Sequence, residues 1–196
     1  MKKKMIILLC FVMVFSVFIV GCSKADKEIN NDTDTVNTDV ENNGQDDEKN
    51  LEEKEIDYVL YLRHKDKPFL FDEAYSIKEK DEKLQNVSME EFIVKELIAL
   101  EGYGEYVNPV PKKTKLLSVT KDNGTVIVNL SKDFVEGQKG TSNDTLLALA
   151  TIVNSLTIMP DNEQVQFMID GKIVYEVNGI DISKPMEYIQ GFYPDK

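Results

Sequence analysis

The sequence predicts an α+β fold in the order β-β-α-β-β-α-β-β, with a mostly antiparallel or mixed sheet and two helices packed on one face. Short runs of apolar and β-branched residues occur in pairs, and two pairs are joined by turn dipeptides that tolerate positive φ, Asn123-Gly124 and Asp170-Gly171. Between the pairs lie two stretches whose apolar residues recur at helical spacing. Hairpins that alternate with single helices are typical of this fold class.

The first predicted hairpin begins where the composition becomes apolar, near Ile56. Residues 58–62 and 69–77 are the two candidate strands, and residues 63–68 are a polar turn between them. The roughly 140 residues from this point onward suffice for one domain with one hydrophobic core. We therefore assign residues 56–196 to a single folded domain.

The first predicted helix has clear signals at both ends. Ser88 is a candidate N-cap, and Glu91 stands three residues later at the capping-box position. Gly102 supplies the stop signal, and residues 103–113, which contain two prolines, are expected to form a loop. The apolar residues of the helix fall on one stripe: Met89, Phe92, Ile93, Leu97 and Leu100.

Two further hairpins are predicted around the turn dipeptides. Residues 116–119 and 126–130 flank the Asn-Gly turn. Residues 165–169 and 173–177 flank the Asp-Gly turn in the same way. The three hairpins do not align with one another, so no internal repeat is predicted.

The second predicted helix runs from Ser142, a candidate N-cap, to Thr157, and Pro160 follows its end. No charge occurs between Asp144 and Asp161, and apolar residues go most of the way around the helix. Such a helix is usually buried on nearly all sides. The alternative is a partner-binding face, whose candidate residues are Leu147, Ile152, Asn154 and Thr157.

The aromatic C-terminal segment, residues 188–194, is a second candidate interaction surface. Its candidate contact residues are Phe192 and Tyr193. The segment either packs onto the sheet or stays exposed as a docking strip. Packing is the favoured interpretation, because exposed aromatic patches are uncommon on monomers.

The N-terminal segment has the pattern of a lipoprotein signal peptide. Residues 2–4 are lysines and residues 5–20 carry no charge, a run of about 16 that is short for a membrane span of about 20. The run ends in a sequence that resembles the bacterial lipobox: Ile19, Val20, Gly21 and Cys22. We expect removal of residues 1–21 and diacylation of the Cys22 thiol, which would anchor the protein on the extracytoplasmic face of the cell membrane. An uncleaved membrane helix is the disfavoured alternative.

Charge and cysteine content exclude several classes of function. The formal charge is −12, and removal of the three signal-peptide lysines leaves −15, which disfavours nucleic acid and anionic lipid headgroups as partners. Cys10 lies in the signal peptide and Cys22 is expected to be acylated, so the mature chain has no thiol or disulfide. His64 is the single histidine and lies in a charged turn. No metal site and no cofactor is predicted.

Residues 22–55 are predicted to be the lipidated cysteine followed by a disordered acidic tether. After Ser23 the segment consists almost wholly of Asp, Glu, Asn, Lys and Thr, and it cannot bury enough surface to offset the entropy of ordering. A flexible chain of this length spans about 30 Å. The tether is therefore expected to hold the domain off the membrane.

No catalytic constellation is evident, and the chain is predicted not to be an enzyme. Ser131, Lys132 and Asp133 lack the oriented third group that nucleophilic catalysis requires, and they are interpreted as a strand end that turns into a loop. Glu90 and Glu91 point apart on a helix, and capping explains them better than acid-base chemistry. The alternative is a cell-wall hydrolase or an accessory subunit of one, which needs two carboxylates about 5 to 9 Å apart in a cleft.

Four segments together resemble the GerMN domain family of sporulation and spore germination. They are TKLLSV (114–119), VIVNLSKDF (126–134), LALATIVNSLT (147–157) and VQFMIDG (165–171). The resemblance implies a non-catalytic α/β interaction domain, similar to the ring-building modules of spore-envelope secretion complexes. It also implies envelope or sporulation proteins, or wall polymer, as partners. Open sheet edges offer a mode of partner pairing or self-association.

Overall fold

The structure, a computed structural model, describes residues 54–192. The predictions for the signal peptide, for Cys22, for nearly all of the tether and for Tyr193 lie outside the described residues. Between residues 54 and 192, no helix is both long enough and apolar enough to cross a lipid bilayer.

A three-stranded sheet is built on the first hairpin, which confirms its prediction. Strand β1 (Glu55–His64) pairs along its length with the antiparallel strand β2 (Leu70–Lys78). The short strand β3 (Tyr106–Val107), in the segment predicted to be loop, pairs with the C-terminal end of β1 on its other edge. The strand order of this first sheet is β2-β1-β3.

The first helix, α1 (Met89–Ala99), begins where Ser88 predicts. The Ser88 Oγ accepts a hydrogen bond from the backbone N–H of Glu91 at 3.1 Å, which satisfies one of the free donors of the first turn. One turn of 3-10 helix (Glu82–Leu84) precedes it. The buried face of α1 carries Phe92, Ile93, Val94 and Leu97.

The second sheet also starts from a predicted hairpin. Strands β4 (Leu116–Asp122) and β5 (Thr125–Leu130) are antiparallel, and Asn123 and Gly124 adopt φ of 44° and 77° in the turn between them. These positive φ values are why the Asn-Gly signal was informative. A register shift at Leu117 bulges the start of β4.

Two helices follow β5, where the sequence predicted one. A short helix, α2 (Asp133–Glu136), stands where a loop was predicted. The long helix α3 (Ser142–Thr157) is confirmed, but its N-cap is Thr141 and not Ser142. Thr141 and Asp144 form a reciprocal capping box, with Thr141 N to Asp144 Oδ2 at 2.8 Å and Asp144 N to Thr141 Oγ1 at 3.2 Å.

The predicted last hairpin is wrong beyond its turn. Strand β6 (Gln164–Ile169) pairs in parallel with β5, because α3 acts as a crossover connection between them. The Asp170-Gly171 turn forms with φ of 46° and 75°, but residues 173–175 leave the sheet instead of pairing with β6. The turn is held against the end of β5 by a hydrogen bond from Gly171 N to Asn129 Oδ1.

Three short strands complete the fold. Strands β7 (Glu176–Val177) and β8 (Ile180–Asp181) form a small antiparallel pair, and β9 (Met186–Glu187) pairs with the start of β6. The second sheet therefore has the mixed order β4-β5-β6-β9. The α+β class with a mixed sheet is confirmed, although the strands are divided between separate sheets.

Helix α3 lies against both sheets, through β1 and β6, and also contacts α1. The backbone N–H of Tyr61 in β1 donates to the Ser155 Oγ of α3 at 2.9 Å, so the helix satisfies a strand-edge donor. Large, fully buried side chains of the main core come from both sheets and from the helices α1, α2 and α3: Leu62, Ile93, Leu97, Leu130, Phe134, Leu149, Ile152, Leu156 and Phe167.

A smaller core covers the opposite side of the first hairpin. It joins Tyr61 and Leu70 to Leu147 and Ala150 of α3 and to Phe192 of the C-terminal segment. The Phe192 carbonyl accepts a hydrogen bond from Leu70 N at 2.8 Å. The C-terminal segment therefore packs on the domain up to Phe192, in line with the favoured interpretation.

Candidate functional site

The partner-binding face, which was the alternative interpretation of the second predicted helix, is absent from the surface. Leu147, Ile152 and Asn154 have 0% of their surface exposed, so a partner of the folded domain cannot reach them. This alternative is wrong because α3 packs against both sheets and against α1, so its apolar residues contact other elements on nearly every side. The favoured interpretation, a helix buried on nearly all sides, describes α3.

Asn154 has a structural partner instead. Its Nδ2 donates to the Ile189 carbonyl at 3.0 Å, and its Oδ1 accepts from Ile189 N at 2.9 Å. Thr157, which is half-buried, donates within its own helix to the Val153 carbonyl at 2.8 Å. Phe192 is 9% exposed and belongs to the smaller core. These contacts attach the C-terminal segment to α3.

The residues considered for catalysis are engaged in structural contacts. The Ser131 Oγ accepts from Lys115 N and donates to Asp133 Oδ2 at 3.0 Å, which joins the start of β4 to the start of α2. Lys132 forms an ion pair with Glu136 at 3.2 Å. Ser131 is 7% exposed, and its hydroxyl is used by both of these structural contacts.

The two glutamates at the start of α1 and the single histidine have local partners as well. Glu90 pairs with Lys121 at 3.2 Å, and Glu91 pairs with Lys95 at 2.7 Å. His64 Nδ1 accepts from Asp66 N at 3.1 Å. In the part of the chain that the structure describes, no three His, Cys, Asp or Glu side chains are grouped so as to hold a metal ion.

The structure does assemble a surface that the sequence did not predict. Four half-buried or exposed aromatic side chains lie next to one another over the first sheet, and we call them the aromatic strip: Phe71, Tyr75, Tyr103 and Tyr106. Phe71, Glu73 and Tyr75 share one face of β2 because side chains alternate along a strand. Glu73 therefore stands between two of the rings.

Ring contacts make the strip continuous. The Tyr103 and Tyr106 rings meet edge to face with centroids 5.6 Å apart, and Phe71 lies 5.7 Å from Tyr106. The hydroxyls of Tyr75 and Tyr103 are hydrogen-bonded at 3.2 Å. At one end, Tyr75 stacks at 5.4 Å on Tyr58, which is buried against Phe92 of α1. The strip therefore packs against the hydrophobic core through Tyr75 and Tyr58.

A tight turn presents the two loop tyrosines. Tyr103 and Tyr106 exchange two backbone hydrogen bonds of 3.0 and 2.9 Å, with Gly104 at positive φ between them. Gly102 precedes the turn at φ 88°, and a Cβ there would stand 2.6 Å from the Tyr106 carbonyl oxygen. Only glycine fits that position without a shift of the turn. Gly102, which the sequence marked as a helix stop, therefore also positions the strip.

Burial and nearby negative charge raise the pKa of the tyrosine hydroxyls of this surface. Burial, with a contribution from Glu96, raises the pKa of Tyr58 to about 12. The hydrogen bond with Tyr75, with a smaller contribution from Glu73, raises the pKa of Tyr103 above its usual range. Partial burial and the Glu73 charge raise the pKa of Tyr106. The strip therefore offers neutral hydroxyl groups beside one carboxylate.

The aromatic strip borders one of three grooves on the described part of the domain. This groove has a volume of about 480 Å³. It is lined by Tyr75, by other residues of β1 and β2, and by the residues that follow α3. Two further grooves of about 450 and 400 Å³ lie elsewhere, and Phe71, Tyr103 and Tyr106 line none of the three. The alternation of Phe71 and Tyr75 could have been noticed in the sequence, but no local pattern places Tyr103 and Tyr106 beside them.

A comparison with protein families identifies the domain. A family model named Germane, described as "Sporulation and spore germination", matches residues 59–175. The chain belongs to the GerMN domain family. The match begins in β1, so this GerMN domain includes the first hairpin and α1, which precede the four segments that resemble the family. No curated protein matches the chain.

Solved structures agree with this assignment. The tandem GerMN domains of the sporulation protein GerM from Bacillus subtilis are 17% identical at a TM-score of 0.53, with 69% of this chain and 46% of that chain covered. The first GerMN domain of the same protein is 18% identical at a TM-score of 0.52, with 67% and 97% covered. This chain thus spans about half the length of the tandem structure, and both likenesses support the fold.

A third similar structure is a candidate lipoprotein from Clostridium perfringens. It is 26% identical at a TM-score of 0.47, with 68% of this chain and 87% of that chain covered.

Proposed function

We propose that this protein is a lipid-anchored envelope protein whose GerMN domain binds a partner in sporulation or spore germination without catalysing a reaction. The family match carries the proposal, since it places a sporulation and spore germination domain over residues 59–175. The partner is an envelope protein or a wall polymer at the extracytoplasmic face of the cell membrane.

The lipid anchor is supported by the sequence around Cys22. A lysine-rich start and an uncharged run lead directly to the lipobox-like residues 19–22. A diacylglyceryl group bound to the thiol as a thioether carries two acyl chains, which give stable membrane attachment where a single chain is marginal. The acidic segment that follows would then allow the domain to reach partners at a distance from the bilayer.

The anchor is tested by labelling cells with a palmitate analogue and separating their membranes. We expect the wild-type protein to carry the label and to sediment with membranes, and the Cys22→Ala form to carry no label. Cys10→Ala is the matched control, because it removes the other cysteine of the chain and leaves the lipobox intact. Label on the Cys22→Ala form would show that the anchor is elsewhere.

The polar residues that were considered for catalysis make structural contacts at β4, α1 and α2. These contacts support a binding role for the domain.

Deletion of the gene tests the biological role. We expect fewer heat-resistant or germination-competent spores, with rescue by the wild-type gene and weaker rescue by Cys22→Ala. Normal sporulation and germination of the deletion strain would contradict the role. Release of soluble fragments from purified peptidoglycan by the protein would contradict its non-catalytic nature.

A further inference from the structure

We propose that the aromatic strip is a binding surface for the neutral glycan strands of the cell wall. Sugar rings would stack on Tyr103 and Tyr106, and their hydroxyl groups would hydrogen-bond to Glu73. This inference rests on the proposed function, and it names the ligand and the surface that the proposed function leaves open.

The chemistry of the strip suits a pyranose ring. One face of such a ring is made of C–H groups, which pack on the face of an aromatic ring, and its rim is made of hydroxyl groups that need polar partners. Tyr103 is 46% exposed, and Phe71, Tyr75 and Tyr106 are half-buried, so each retains some accessible surface. Glu73 and the tyrosine hydroxyls provide the acceptors and donors between the rings.

The strip is organised before any ligand arrives. The tight turn fixes the backbone of Tyr103 and Tyr106, and the hydroxyl contact with Tyr75 at 3.2 Å restrains the Tyr103 ring. Binding therefore does not have to order these side chains, which lowers its entropic cost. Tyrosine also supplies a large contact area with few rotatable bonds.

Charge favours a neutral polymer over an anionic one. Glu73 lies within the strip, and Asp72 is exposed on the other face of the same strand. At the end of the strip, Glu105 pairs with Lys65 at 2.8 Å, so that lysine charge is already neutralised. A polyphosphate chain would meet repulsion here, whereas N-acetylated sugars bring no charge.

Shape favours a sugar over an extended peptide. Peptide recognition of the strand-addition or proline-rich kind depends on pockets or grooves that take alternate side chains. None of the three grooves described above is lined by Phe71, Tyr103 or Tyr106. Exposed tyrosine rings beside a central carboxylate are better matched to linked sugar rings, each of which offers a C–H face and a rim of hydroxyl groups.

The test measures binding of the full-length mature protein in detergent to chitohexaose and to purified peptidoglycan sacculi. We expect Tyr103→Ala to weaken binding to both by about threefold to tenfold, the effect of losing the packing of one aromatic ring. Glu73→Gln keeps the side-chain shape and is expected to weaken chitohexaose binding by several-fold. Tyr175→Ala is the matched control, since Tyr175 is 74% exposed in the 173–175 segment outside the strip.

The outcomes separate this inference from the proposed function. Weaker binding by both strip variants, with wild-type binding by Tyr175→Ala, would support the glycan surface. Equal binding by all four proteins would overturn it, as would no binding of wild type to either probe. If wild type binds neither probe but is cross-linked in cells to an envelope protein, the glycan inference fails and the proposed function stands. Unchanged far-ultraviolet circular dichroism of each variant excludes unfolding as the cause.

Discussion

At the residue scale, Asn154 and Ser155 show how a buried helix can carry amide and hydroxyl side chains. A buried polar atom without a partner is costly, which favours contacts inside the protein. Asn154 finds its contacts in the backbone of Ile189, and Ser155 in the backbone of Tyr61. Asn154 attaches α3 to the C-terminal segment, and Ser155 attaches it to β1. Hydrogen bonds are directional, so they define the position of the helix more specifically than apolar contacts alone.

Asn154→Ala tests this attachment. The substitution removes two hydrogen bonds and leaves the part-buried donor and acceptor of Ile189 without their partners, so we expect a loss of about 2 kcal/mol in the free energy of unfolding. Urea denaturation followed by circular dichroism measures it. Thr157→Ala is the matched control at the end of the same helix, because the Thr157 hydroxyl bonds only within the helix, and we expect a change within about 0.5 kcal/mol. Equal effects of the two substitutions would refute the attachment.

At the element scale, the ends of the helices and hairpins are decided by single side chains. Ser88 caps α1 and the Asn123-Gly124 turn closes the β4–β5 hairpin as predicted, because both signals act within three or four residues. The start of α3 is one residue earlier than expected. Thr141 and Ser142 are both good N-caps by residue type, and Asp144 decides between them, since it stands at the third helical position after Thr141.

Substitution of the two neighbouring hydroxyl residues distinguishes these caps. We expect Thr141→Ala to lower the stability by about 1 kcal/mol, because the backbone N–H of Asp144 loses its acceptor. Ser142→Ala is expected to change it by less than about 0.5 kcal/mol, since Ser142 is an exposed first-turn residue. Thermal denaturation of both variants beside wild type gives the comparison. A larger loss for Ser142→Ala would assign the cap to Ser142.

At the scale of the whole molecule, the two main sheets share one hydrophobic core through α3. The main core contains Leu62 of the first sheet and Phe167 of the second, with Ile152 of α3 in the same cluster. Elements that share a core cannot open independently without exposing each other's apolar surface. The two sheets are therefore expected to unfold together as one cooperative unit.

Ile152→Ala tests this coupling. The truncation leaves a cavity in the shared core, and we expect a loss of about 2 to 5 kcal/mol. Unfolding is followed both by tyrosine fluorescence, which reports on the tyrosine-rich first sheet, and by far-ultraviolet circular dichroism, which reports on all elements. Both signals are expected to shift to lower denaturant together. Separate midpoints for the two signals would show that the sheets are independent units.

The sequence by itself determined the elements whose signals are local. The α+β class, the first two hairpins and both long helices follow from apolar periodicity, caps and turn dipeptides, each of which acts over a few residues. The burial of α3 also follows from sequence, because a helix that is apolar around most of its circumference needs neighbours on every side. The alternative, an exposed face that includes Leu147 and Ile152, conflicts with that argument, and the burial of both residues excludes it.

Only the tertiary structure decided where β6 pairs and what lies on the surface. The Asp170-Gly171 turn forms as expected, but a turn fixes only the first residues after it, and the parallel pairing of β6 with β5 depends on the crossover through α3. The aromatic strip likewise joins β2 to a turn nearly thirty residues away, at Tyr75 and Tyr103. No local signal encodes that contact, because it exists only once β1, β2 and α1 have packed together.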